Sequence, residues 1–70
     1  MYSQKKIFAA MNHYAQFEMF RRNGYVPLDY LLDYLGKENP ELLEMQLRKM
    51  ESAGLLRIQY EFGICVGVRI

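Results

Sequence analysis

The hydrophobic period of this chain changes once, at Gly54, and that change restricts the fold more than any other feature. Before Gly54, apolar residues recur at intervals of three and four, the spacing that lines one face of an α-helix. After it, Ile58, Tyr60, Phe62, Ile64, Val66, Val68 and Ile70 share one parity. Arg57, Gln59, Glu61, Cys65 and Arg69 share the other, the alternation of a half-buried strand. Helices followed by a short run of strand period predict an α+β domain. Seventy residues have room for one core only, so residues 1–70 read as a single domain.

Glycines divide the helical part into three. Residues 3–22 read as one helix, with Ser3 as its cap and Ile7, Phe8, Met11, Ala15 and Met19 on one face, interrupted by Glu18. Arg21 and Arg22 suit its C-terminal dipole and Gly24 its end. Tyr25-Val26 is long enough only for a small strand. Pro27 then opens a second helix, Leu28 to Leu35, with Leu28, Leu31, Leu32 and Leu35 as its stripe and Gly36 as its stop. The third helix starts at Asn39-Pro40-Glu41, where a cap, a first-turn proline and a first-turn acid coincide. Leu43, Leu47 and Met50 form its inward stripe, and Gly54 ends it. In the final segment Gly63 offers a turn near Glu61 to Ile64, which makes a hairpin. One uninterrupted strand is the alternative, because the parity does not shift across Gly63.

The order helix, short strand, helix, turn, helix, hairpin resembles the winged helix-turn-helix superfamily, in the manner of small bacterial regulators of the MarR, ArsR and PadR kinds. Met45-Gln46-Leu47-Arg48-Lys49-Met50-Glu51-Ser52-Ala53-Gly54-Leu55-Leu56-Arg57-Ile58 is the stretch that carries the likeness, as the end of a recognition helix entering a wing. The resemblance implies a three-helix domain with a C-terminal β-hairpin wing. It also implies a small transcriptional regulator that binds double-stranded DNA as a homodimer. By the same likeness, Lys37, Asn39, Arg48, Lys49 and Arg57 are the DNA-contacting residues, the cations on phosphates and Asn39 or Arg48 on a base edge. Winged helices also act as adaptors that bind another protein and modulate a larger complex, so the fold does not choose the partner.

The charges supply arguments for that second class. Net charge is only +1, without the basic excess of a typical nucleic-acid binder. Glu38, Glu41 and Glu44 crowd the end of the third helix that would meet phosphates, and Glu61-Phe62-Gly63-Ile64 at the hairpin tip has no cation. A helical wheel sets Glu41, Glu44, Met45, Arg48 and Ser52 outward, with Lys49 at the edge. Glu44 and Arg48 have the spacing and order of an intrahelical ion pair.

Catalysis is not expected. No nucleophile, base and orienting group stand at a recognisable spacing, and no glycine-rich phosphate loop precedes a helix. His13 has no partner ligands at metal spacing and reads as a surface residue, so no metal and no cofactor are expected. Cys65, the only cysteine, reads as a small strand residue on the polar parity; a redox role would require Arg57 or Arg69 to lower its pKa. A lone thiol, with no membrane-length apolar run and no targeting segment, suggests a cytoplasmic protein. Ala10, Tyr14, Phe17 and Phe20 fall on a second face of the first helix. With 51% apolar residues in so small a body, that face is the expected homodimer interface.

Overall fold

The structure, a computed structural model, describes residues 2–36 and 39–70. The elements run α1 (Gln4–Ala15), α2 (Glu18–Asn23), β1 (Tyr25–Pro27), α3 (Leu28–Leu35), α4 (Pro40–Ser52), β2 (Ile58–Glu61) and β3 (Ile64–Arg69). The three strands form one antiparallel sheet in the order β1-β3-β2. The chain is thus a small α+β domain, with four helices among the described residues.

The single helix expected over residues 3–22 is two helices. α1 begins as expected, the Ser3 hydroxyl accepting from the Lys6 N–H at 3.1 Å. It stops at Ala15. Phe17 is extended at φ −87°, ψ 127°, and its carbonyl starts α2 by accepting from Phe20 and Arg21. The break has a clear packing consequence. Bending at Gln16-Phe17 lets Ile7 and Ala10 of α1 and Phe20 of α2 enter one core. Met19, expected on the inward stripe, is thereby turned out to solvent.

α3 and α4 follow their sequence signals closely. Gly36 closes α3 with a left-handed φ of 99°, its N–H donating to the Leu32 carbonyl. The Asn39 side chain caps α4 by accepting from the Glu41 and Leu42 N–H groups at 3.0 and 3.2 Å. The Tyr2 hydroxyl accepts from the Asn39 N–H at 2.9 Å and ties the start of α4 to the N-terminal segment. Leu43, Leu47 and Met50 are completely buried, together with Leu31, Val26 and Val68.

The hairpin turns on Phe62 and Gly63, both at positive φ, 52° and 77°. This is the pattern of a type I′ turn, whose twist matches that of paired strands. Phenylalanine in that conformation costs roughly 1–2 kcal/mol. The alternation of residues 57–70 does not survive intact. Ile58 faces Val68 and Gln59 faces Gly67, but Tyr60 faces Cys65, so Val66 is an extra residue in β3. That bulge reverses the parity towards the tip. Cys65, expected on the polar face, is buried, and Ile64, expected on the apolar face, is exposed. Next to the bulge, β1 lies so close that a Cβ at Gly67 would meet the Val26 carbonyl oxygen and come within 2.7 Å of the Tyr25 ring.

Leu47 sits at the centre of this core with no exposure. Leu47→Ala lowers unfolding stability in urea by about 2–5 kcal/mol, as buried leucine truncations do. A loss under about 1 kcal/mol would show that α4 does not pack as described.

Candidate functional site

Two surfaces of the domain carry exposed side chains that packing does not explain. The first is the outer side of α4 with the adjoining hairpin. Leu42 and Met45 stand one turn apart and are 42% and 56% exposed. Glu41, Arg48, Lys49 and Ser52 share the exposed part of this helix. Arg48 is engaged within the chain. Its Nη2 and Nε donate to Glu44 Oε1 at 2.8 and 3.3 Å, and its guanidinium carbon lies 5.5 Å from the centroid of the Tyr60 ring. The Glu44 bond is the main reason the guanidinium is raised above its ordinary pKa.

Tyr60 in turn is fixed by Glu51, the last acid of α4. Glu51 Oε1 accepts from the Tyr60 hydroxyl at 3.0 Å, and Oε2 accepts from the Ile58 N–H at 2.9 Å. Desolvation, followed by this hydrogen bond, pushes the Tyr60 phenol above its ordinary value and keeps it a donor. One carboxylate thus holds the free edge of β2 against the end of α4. The aromatic ring it positions lies beneath Arg48.

Of the residues implied as DNA contacts, Lys37 lies outside the described residues. Asn39 uses its side-chain oxygen to cap α4, and Arg48 is held by Glu44 and Tyr60. Lys49 is exposed on α4. Arg57 is exposed at the base of the hairpin, where it lines a shallow groove with Arg69. Of the four that are described, Asn39 and Arg48 are thus engaged within the chain, and Lys49 and Arg57 are exposed.

The second surface is aromatic. His13, Tyr14, Phe17, Phe20, Tyr30 and Tyr34 form a ring cluster where α1, α2 and α3 meet, with centroids 4.9–6.3 Å apart. This corrects the expected dimer face. Ala10 and Phe20 are buried in the chain's own core, and Tyr14 is half-buried, because the bend at Gln16-Phe17 folds that side inward. Burial and then the Asp33 carboxylate push the Tyr14 phenol above its ordinary value. Of the four, Phe17 alone is well exposed, at 49%. Tyr30 and Tyr34 of α3 supply the rest of the outer surface.

Cys65 does not have the environment of a reactive thiol. Burial raises its pKa, and Glu44 adds to the rise, which is the opposite of what thiolate chemistry needs. Among the described residues no three His, Cys, Asp or Glu side chains gather as metal ligands. No helix among the described residues is long and apolar enough to cross a membrane. No family model, curated relative or solved structure matches the chain.

Leu42, Glu51 and Tyr60 were not among the site residues expected from the sequence. For Leu42 a signal was present: it lies off the inward stripe formed by Leu43, Leu47 and Met50. For Glu51 there was none, since its partners come from a strand whose approach depends on the fold. Glu51→Ala removes the acceptor from both the Ile58 amide and the Tyr60 hydroxyl, and lowers stability by about 1–3 kcal/mol. Tyr60→Phe costs less, because the amide bond stays. Equal losses for the two variants, measured by urea unfolding, would show that the amide bond contributes nothing.

Proposed function

We propose that the chain is a winged-helix module that binds another protein through the outer face of α4 and does no catalysis. The winged-helix reading is supported by the order of elements: α3 and α4 precede a hairpin, and β1 returns beside β3 in the sheet order β1-β3-β2. In that fold α4 is the helix that would enter a DNA groove. The observation that carries the protein-binding reading is what this helix exposes. Leu42 and Met45 are open to water, Glu41 and Glu44 accompany them, and the central arginine is engaged by Glu44 and Tyr60. Apolar side chains ringed by acids suit a protein surface with an apolar patch and a basic border. The same acids repel phosphates. The half-exposed Phe17, Tyr30 and Tyr34 offer a further protein-binding surface. A buried, unpaired cysteine suits a reducing compartment and so supports a cytoplasmic reading.

A DNA-binding regulator is the second reading. It is favoured by the helix pair leading into a hairpin, and by Lys49 and Arg57, both exposed. Titration of mixed-sequence duplex DNA at low salt separates the two. Protein binding through α4 predicts no salt-dependent affinity, either for the wild type or for Glu41→Gln and Glu44→Gln. It also predicts that Met45→Glu folds normally and loses a partner that Lys49→Ala retains. A regulator predicts a slope of log affinity against log salt of about −2 to −4 per subunit, reduced by about one unit in Lys49→Ala. That slope would overturn the protein-binding reading.

A further inference from the structure

The residue most at odds with its surroundings is Phe62. The residue is 103% exposed, so the fold shields essentially none of it, and its backbone is left-handed at φ 52°. Both features are unfavourable for phenylalanine in an isolated domain, and the neighbouring Ile64 is 65% exposed as well. Asn in front of Gly63 would form the same turn without strain or an exposed ring. A side chain so placed gains only from contact outside its own chain.

A complementary site lies at the other end of the same hairpin. A shallow groove of about 840 Å³ runs between the end of α4 and the base of the sheet. Leu55, Leu56, Ile58 and Ile70 line it, Leu55 and Ile70 being 45% and 53% exposed. Arg57 and Arg69 lie at this groove, next to one another across β2 and β3, the Arg69 N–H donating to the Arg57 carbonyl at 2.8 Å. Glu51 also lines the groove, but both its oxygens are occupied by Ile58 and Tyr60. The groove thus presents apolar side chains, the Tyr60 ring and two cations, with the Glu51 carboxylate turned to its two neutral donors. The hairpin tip presents Phe62, Ile64 and the carboxylate of Glu61.

We propose that two copies of this chain associate reciprocally, the Phe62 tip of each docking into the Leu55–Ile70 groove of the other with Glu61 facing Arg57 and Arg69. The Phe62 tip and the Arg57 end of the groove lie about 16 Å apart along one hairpin at roughly 3.3 Å per residue, with Tyr60 lining the groove between them. Two hairpins laid antiparallel about a two-fold axis bring each tip to the other's groove at once. Both sites are then filled, and the assembly closes as a dimer instead of growing into a fibre. β2 is an edge strand and lies on the outside of the sheet. Its Ile58 N–H is already bonded to Glu51, so the copies join by side-chain docking and not by strand addition. The dimer is independent of what α4 binds.

Sedimentation of the full chain from low to high micromolar concentration, with urea unfolding of each variant, tests this. The wild type is expected to be a dimer. Phe62→Asn is expected to weaken the dimer by at least about tenfold while its urea midpoint holds or rises. Glu61→Arg is expected to weaken it, and Glu61→Arg with Arg57→Glu in one chain to restore it. Phe17→Glu is expected to leave association unchanged. A wild type that stays monomeric at high micromolar concentration would overturn the proposal. So would a dimer that survives in Phe62→Asn, or one abolished by Phe17→Glu, which would move the interface to the aromatic cluster.

Discussion

The position of the hairpin depends on one carboxylate. Glu51 sits at the end of α4, and its two oxygens reach across to the Ile58 amide and the Tyr60 hydroxyl. The first bond occupies a backbone group that an edge strand would otherwise offer to another chain. The second holds Tyr60 beside α4, where its ring meets the Arg48 guanidinium. Helix and hairpin become one continuous face. The exposed arginine–glutamate pair adds little on its own, since surface ion pairs are worth up to about 1 kcal/mol. Its anchorage to a fixed ring gives it a defined place.

Core volume sets the other constraint. Among the described residues, fourteen buried apolar side chains close a single cluster drawn from every element. A core this small cannot serve two faces of a long straight helix. The N-terminal segment therefore bends, and Phe20, which a straight helix would have presented outward with Ala10, joins the interior. What remains outside is informative for the same reason. A chain with so little core has every incentive to bury Leu42, Met45, Phe62 and Ile64, yet leaves all four in water. Their exposure is more economically explained by contact surfaces than by packing.

Much of this was legible in the sequence where local chemistry decides the outcome. Asn39-Pro40-Glu41 marked the start of α4, Gly36 the end of α3, and Leu43, Leu47 and Met50 the buried stripe, because caps and helical periodicity act within a few residues. The chain's failures have a common cause. The break at Gln16-Phe17 brings Phe20 into the shared core, a tertiary effect that no local signal reports. The bulge at Val66 reverses the strand parity, and with it the places of Cys65 and Ile64, although alternation across residues 57–70 is unbroken in the sequence. The Asn39 cap and the Glu44–Arg48 pair were legible from spacing alone. Only the folded chain shows the Tyr60 ring beside the Arg48 guanidinium.

Glu51, Tyr60 and Arg48 join α4 to the hairpin, and with Arg48 engaged by Glu44 and Tyr60 the joint face presents apolar side chains and acids. The arginine side-chain Nε–H signals, followed by NMR, report on this joint directly. The account predicts an Arg48 signal shifted by the Tyr60 ring current and slowed in exchange relative to Arg21, with both effects lost in Tyr60→Leu. An Arg48 signal indistinguishable from that of Arg21 in the wild type would contradict it.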